Sequence, residues 1–268
     1  MRINFAGKSM VDQSIELMRH EERRCEDAGY WLAFSGGKDS IVLHRLAEMA
    51  GVKFDAHYGL TTIDPPELVQ FIRREYPGVG WERQEHTFCW QVARRGFPTR
   101  LRRWCCEQFK EQGGRGRVVL TGIRAQESPN RARRGSVERC LRDRTKTFVN
   151  PILGWRTGEV WEFIRSEKLP YPTLYDEGFH PLGSVCCPFE RRVKRSQEHW
   201  PRIWANVLRA FREGWERCGE DGMHGFREAR RRFATADACF EWWCSRDGKY
   251  PRPMLEDGEE EDQPALFV

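Results

Sequence analysis

In the first half of the chain, apolar residues fall in short runs closed by glycine or proline, and stretches with helical spacing lie between them. Residues 11–29 predict an amphipathic helix, with Ile15, Met18 and Cys25 on one face and Gly29 as its stop. An apolar strand at 30–34 runs directly into Ser35-Gly36-Gly37-Lys38-Asp39-Ser40. Beyond that loop, Ile41, Val42, Leu43, Leu46, Ala47 and Met49 are spaced as one helix that ends at Gly51. A strand at 53–58 and a helix at 65–75, which opens on proline, complete a second βα unit. Strands at 80–85 and 117–123 follow, the latter a VVLTGI run suited to a parallel sheet covered on both faces. This alternation predicts an α/β fold with a doubly wound, mainly parallel sheet. From about residue 157 the spacing becomes helical, first through Val160, Trp161, Phe163 and Ile164, then at 200–215, 225–233 and 236–243. The expected organisation is an α/β domain over 1–190, a helical C-terminal cap over 191–250 and an acidic disordered tail over 251–268 that carries EDGEEED.

Composition narrows the class. Among 268 residues, 11 Trp, 16 Phe and 6 Tyr supply more buriable area than a disordered chain carries, although 32% of the residues are charged. No apolar run is long enough to span a membrane and the first residues lack the apolar stretch of a signal peptide, so a cytoplasmic protein without membrane contact is expected. Ten cysteines in such a compartment point to metal binding, reactivity or core packing rather than disulfides. Arginine outnumbers lysine 37 to 8. A GC-rich genome would explain the excess but not its placement: residues 94–144 hold 14 Arg and one Lys against five acids, a net +10 in a chain of net +5. A polyanionic ligand near that segment is the expectation.

The six-residue loop carries the chemistry. Two glycines between a strand and a helix aim backbone N–H groups and the positive end of the helix dipole at one point, which suits phosphate. Lys38 adds a charge, and Ser35 and Ser40 add hydroxyls. Asp39 would repel a phosphate unless a cation lay between them, and Mg²⁺ would resolve that conflict. Arg124 and Arg131, just past the VVLTGI strand, sit where open α/β sheets bind ligands, with Glu127 and Ser128 placed to orient them; a surface ion-pair network is the alternative.

SGGKDS resembles the pyrophosphate loop of ATP pyrophosphatases with an adenine nucleotide α-hydrolase-like fold, and the flanking motifs resemble the phosphoadenosine phosphosulfate (PAPS) reductase family, especially its bacterial and prophage members. Those motifs are Thr61-Thr62-Ile63-Asp64-Pro65-Pro66-Glu67-Leu68, Arg103-Trp104-Cys105-Cys106 with Lys110, Thr121-Gly122-Ile123-Arg124 with Glu127, Ser128 and Arg131, Asn150-Pro151-Ile152 with Val160-Trp161, and Leu169-Pro170-Tyr171 with Leu174-Tyr175 and Gly178, extending to Pro188. The resemblance implies a bound adenine nucleotide and two chemistries. Enzymes that split ATP between its α and β phosphates keep Lys and Asp in this loop, whereas sulfonucleotide reductases have generally drifted from it. Lys38 and Asp39 therefore favour cleavage of ATP to AMP and pyrophosphate with adenylation of a substrate, Lys38, Asp39 and Arg124 acting in catalysis. A role in sulfur transfer to nucleic acid, or within a sulfur-transfer, CRISPR-, phage- or defence-associated complex, and a homo-oligomeric state are further expectations. The alternatives are a sulfonucleotide reductase that releases sulfite and a non-catalytic nucleotide-binding subunit.

Cys105-Cys106 followed by Cys186-Cys187 resembles the four-cysteine pattern that holds a [4Fe-4S] cluster in adenylylsulfate-reducing members. Here Ser184 stands where the first cysteine of C-x-x-C belongs and Cys186 is displaced by two residues. A cluster, a zinc ion and a vestigial site are all left open, with Cys140 as a substitute ligand. Cys25, Cys89, Cys239 and Cys244 lie on apolar stripes and are expected in the core. Glu216-Arg217-Cys218-Gly219 with His224 has the letters of a reductase's nucleophilic cysteine motif in broken spacing and is read as coincidence.

Overall fold

A computed structural model describes residues 7–180, 182–220 and 224–245. In chain order the elements are α1 (Met10–Glu21), β1 (Tyr30–Ala33), α2 (Lys38–Ala50), β2 (Phe54–Gly59), α3 (Pro66–Glu75), β3 (Gly80–Glu82), α4 (Phe88–Arg95), α5 (Trp104–Phe109), β4 (Val118–Leu120), α6 (Pro129–Ala132), β5 (Val137–Arg139), β6 (Thr147–Val149), α7 (Thr157–Ser166), α8 (Val193–His199), α9 (Pro201–Glu220), α10 (His224–Arg230) and α11 (Ala236–Ser245). They form two compact units: residues 1–60, 66–82 and 112–182 make the first, and 61–65, 83–111 and 183–268 the second. The chain thus leaves the first unit and returns to it twice. The acidic run 256–262 and the expected tail lie outside the described residues.

The first unit is a six-stranded sheet of order β3-β2-β1-β4-β6-β5. Every pairing is parallel except β5 with β6, so the sheet is mainly parallel with one antiparallel edge. The strand order reverses at β1, which lies between β2 and β4. The loops leaving the carboxyl ends of β1 and β4 therefore flank the crevice where open α/β sheets bind ligands. Met18, Leu32, Ile41, Leu43, Leu46, Val149, Val160 and Ile164 pack the core at 1% exposure or less. The helix expected over 11–29 ends earlier than its pattern suggested. A Ser9 capping box starts α1, but after Glu21 only a 3₁₀ turn (Glu22–Arg24) follows, and Cys25 is extended.

In the second unit the expected C-terminal helices are present, and α9 packs on α4, α10 and α11. Phe97, Phe211, Phe226, Phe240, Trp204 and Trp243 form an aromatic core, and the Trp243 indole donates to the Pro98 carbonyl at 2.7 Å. Gly96 ends α4 with a left-handed φ of +81°, and a Cβ there would lie 2.2 Å from the Gly225 carbonyl oxygen, so the contact between these segments needs glycine.

Candidate functional site

The loop after β1 is built as its residue types demand. Gly36 has φ +70°, and a Cβ on it would come within 2.8 Å of Ile72 and Leu68, so only glycine turns the chain here. Gly37 is the N-cap of α2 and brings no side chain to the helix's first turn. The loop braces itself: the Ser35 N–H donates to Ser40 Oγ (3.1 Å), and Ser40 Oγ donates to the Gly37 carbonyl (2.9 Å). The Gly37 N–H makes a long bond to Ser35 Oγ at 3.4 Å. The Lys38 N–H donates to the Tyr175 hydroxyl at 2.9 Å, and burial holds that phenol protonated by raising its pKa.

Charge at this helix start is unbalanced. Lys38 Nζ lies 2.7 Å from one Asp39 oxygen, and Arg124 Nε lies 2.7 Å from the other. Lys38 is 8% exposed and Arg124 3%. Two buried cations thus share a single carboxylate. The excess positive charge sits at the positive end of α2, between the carboxyl ends of β1 and β4, which is a setting that favours an anion. The close approach of Gly122 to the Asp39 backbone, 3.2 Å from a would-be Cβ, joins the two loops. Lys38 and Arg124 flank Asp39, the carboxylate for which the sequence suggests Mg²⁺. A single carboxylate with phosphate oxygens is nonetheless a donor set Mg²⁺ accepts.

The remaining predicted residues are one step removed. The Arg124 N–H donates to Glu127 Oε2 at 3.0 Å, and the same carboxylate pairs with the Arg131 guanidinium. Ser128 caps α6 by accepting the Arg131 N–H at 3.2 Å. Arg131 is directed to Glu127 rather than to Asp39. Three contributors escaped the sequence reading: Tyr175, which was noted only as part of a motif, Thr157, whose hydroxyl accepts from Arg124 at 3.1 Å, and Gln126, which accepts the Thr157 N–H at 2.8 Å. Their only signal is proximity in the fold, because Tyr175 lies 137 positions from Lys38.

Within the second unit, Cys105, Cys106, Cys186 and Cys187 line one cavity of about 30 Å³ with Thr61, Ile63, Phe88, Phe109, Lys110, Ser184 and Pro188. The two cysteine pairs are 81 positions apart, and a Val185 N–H to Ile63 carbonyl bond of 2.8 Å fixes the second beside the 61–65 loop. That loop is held in turn by Asp64, whose carboxylate accepts from the Thr61 N–H and hydroxyl, both at 2.7 Å. Arg103 Nη2 donates to Cys106 Sγ at 3.3 Å. The Cys105 thiol, the Arg103 guanidinium and Lys110 hold Cys106 well below the usual thiol range, while Cys105 is pushed up as the proton donor of the pair. Four thiols in an apolar wall with cations beside them are a donor set suited to iron–sulfur chemistry. Among the described residues no three His, Cys, Asp or Glu side chains are grouped closely enough to hold a metal ion as they stand, which bears on a zinc ion and a cluster alike. Cys140 belongs to the first unit and is not among the residues that line this cavity. Of the cysteines expected in the core, Cys239 is fully buried, and Cys25, Cys89 and Cys244 are half-buried; burial raises the Cys25 thiol to about 11.

Residues 29–190 match the family model described as "Phosphoadenosine phosphosulfate reductase domain". An uncharacterized protein of Methanocaldococcus jannaschii is 32% identical over 70% of this chain and 44% of its own length. Adenosine 5'-phosphosulfate reductase of Allochromatium vinosum is 32% identical over 43% of this chain and 39% of its own. The chain spans about half the length of the first curated relatives it matches. Among solved structures, phosphoadenylyl-sulfate reductase from Candida auris superposes with a TM-score of 0.49 at 16% identity, covering 69% of this chain and 97% of that one. No helix among the described residues is long and apolar enough to cross a membrane.

Proposed function

Because the chain belongs to the phosphoadenosine phosphosulfate reductase domain family, we propose that it is a nucleotide-using enzyme whose loop 35–40 grips the phosphates of ATP and releases pyrophosphate while the adenylyl group passes to a substrate. The observation that carries this reading is the pair of buried cations, Lys38 and Arg124, sharing Asp39 alone at the start of α2. A substrate oxygen attacks the α phosphorus and the bond to the β,γ-pyrophosphate breaks. Lys38, the Ser35 hydroxyl and the helix N-terminus stabilise charge as it builds on the leaving group, Ser40 holds the loop in shape, and Arg124 follows the phosphate to which the bond forms. Asp39 with the nucleotide's own oxygens would hold Mg²⁺, which neutralises phosphate charge when bound. Tyr175 keeps the Lys38 backbone in place throughout.

The test is turnover of labelled ATP with Mg²⁺. The wild type is expected to give AMP and pyrophosphate in equal amounts, and Lys38→Ala and Asp39→Ala to lose that activity with unchanged circular dichroism. Wild-type turnover in both variants refutes the loop assignment. The acceptor class this reading favours is nucleic acid, because Arg131, Arg133, Arg134, Arg139, Arg142 and Arg144 form an exposed basic stretch in the same unit as the loop.

A second reading has its own support. The four cysteines around one cavity suit a [4Fe-4S] cluster held by Cys105, Cys106, Cys186 and Cys187, and relatives named adenosine 5'-phosphosulfate reductase favour a sulfonucleotide substrate. Such a cluster would supply electrostatic or redox chemistry. Sulfite release from adenylylsulfate with a thiol reductant, in the absence of ATP turnover, would establish this reading over the first.

A further inference from the structure

Phe189 is 49% exposed and Leu101 56%, and the two stand on segments of the second unit that meet. Arg100 Nε donates to the Pro188 carbonyl at 3.3 Å, and the Arg100 and Arg103 guanidiniums lie 5.7 and 5.3 Å from the centre of the Phe189 ring. Two cations thus hold an aromatic ring in place at the surface. An exposed phenyl alone needs no explanation, but this one is set in concentrated charge. Residues 100–103 and 189–195 carry six arginines and Lys194 against one acid, Glu190, whose carboxylate accepts the Arg192 N–H at 2.7 Å. Arg102, Arg191 and Lys194 are all exposed. Cations crowded in this way repel one another until an anion comes between them.

The ring decides which anion. Free phosphate would neutralise the arginines but leave Phe189 unused. An acidic protein needs an apolar centre to its interface, and among the described residues of this unit only Phe189 and Leu101 are large, apolar and exposed. A flat ring among arginines suits an unpaired base with phosphates on either side, because every base has a face to stack and guanidinium forks fit phosphate oxygens. We propose that residues 100–103 and 189–195 form a binding surface for single-stranded nucleic acid, with Phe189 as the platform for one base and Arg102, Arg191 and Lys194 on the phosphates. This rests on the nucleic-acid acceptor named above, not on the ATP step, and it uses residues of the second unit where the Arg131–Arg144 stretch belongs to the first. The platform also selects strand state, since the base faces of a duplex are hidden in its own stack.

The experiment follows, by fluorescence anisotropy, a labelled RNA of about 12 nucleotides without self-complementarity, a length that one surface of this kind spans, and the same strand in a duplex. Wild type should bind the single strand more tightly, although the duplex carries more phosphate charge. Phe189→Ala should weaken single-strand binding about fivefold or more, Phe189→Leu should match it, and Phe189→Trp should restore affinity, because stacking rather than apolar contact is lost. Arg191→Glu with Lys194→Glu should weaken both nucleic acids and lower the salt slope by about one to two. Equal affinity for strand and duplex, or full affinity in Phe189→Leu, overturns the platform. If the Phe189 and Arg191/Lys194 variants bind as wild type while Arg139→Glu with Arg144→Glu weakens binding, the inference falls and the acceptor reading stands. Polyglutamate that displaces the RNA at equal charge concentration, with no effect of Phe189→Ala, replaces the proposal with an acidic protein partner. A wild type that binds no RNA removes the acceptor reading and this inference together.

Discussion

Arg124 and Asp39 lie 85 positions apart in sequence and 2.7 Å apart in space. Lys38, Asp39 and the serines could be read directly because they form one contiguous string whose glycines have a conformational meaning. The pairing of Asp39 with Arg124, and the seat that Tyr175 gives the Lys38 backbone, could not, because no local pattern encodes a contact between distant loops. Arg124 is anchored by Asp39 and Thr157, so its truncation leaves a half-buried carboxylate with one partner fewer. Arg124→Ala should lower the unfolding free energy by about 3 kcal/mol in urea, with Arg124→Lys recovering part of it. Denaturation midpoints of the two variants check this; an unchanged midpoint for Arg124→Ala would mean the pair is not formed in solution.

At the scale of elements, the runs with clear periodicity formed where they were expected: β1, β2 and α3 lie within one residue of their predicted ends, and α2 starts at Lys38, three residues before the helix expected beyond the loop. The three-residue strands β5 and β6 and the short helices α4 and α5 were missed, since a strand of that length carries too little alternation to be seen and the sheet context creates it. A structural device was also hidden in the basic segment. Arg117, counted there as a source of positive potential, clamps the sheet: its guanidinium donates to the carbonyls of Ala28, Gly29 and Tyr30 at 2.9 to 3.0 Å and pairs with Asp55. Burial on its own would raise the Asp55 carboxyl, but the bonds from Arg117 and His57 outweigh it and hold the carboxyl below its usual value. The folded protein therefore binds this proton more weakly than the unfolded chain. The stability it contributes is present above the ordinary carboxylate range and disappears as pH falls through the depressed folded value. Arg117→Ala should cost about 2 kcal/mol at neutral pH and flatten the acid side of a melting-temperature profile. A gap between the two profiles that keeps its full size from neutral pH down through the acid range would contradict the pairing with Asp55.

For the whole molecule, the sequence gathered fifteen basic residues between 94 and 144 into one feature, and the fold divides them. Residues 94–111 belong to the second unit and 112–144 to the first, and Arg117 and Arg124 are consumed by internal pairs. A linear charge count could not see this, because the chain crosses between units inside the segment. Of the exposed arginines between 131 and 144, Arg131 and Arg134 pair with Glu127 and Glu138, and Arg133, Arg139 and Arg144 are the ones a polyanion would test. Affinity for a single-stranded oligonucleotide, followed by fluorescence anisotropy, should fall at least tenfold between 50 and 200 mM salt. Arg139→Glu with Arg144→Glu should weaken binding and reduce the salt slope, and binding indifferent to both changes would exclude this stretch as the contact. The phosphate loop and the cysteine cavity likewise belong to different units, so each can be tested by its own ligand.

The direct measurement is a calorimetric titration of wild type and Lys38→Ala with a non-hydrolysable ATP analogue and Mg²⁺. Saturable binding at one site per chain, weakened tenfold or more by Lys38→Ala, is the expected result, since that change removes a charge-assisted bond worth about 1.5 to 3 kcal/mol. Heats indistinguishable from dilution, or equal affinity in both proteins, would contradict the claim that residues 35–40 hold a nucleotide's phosphates.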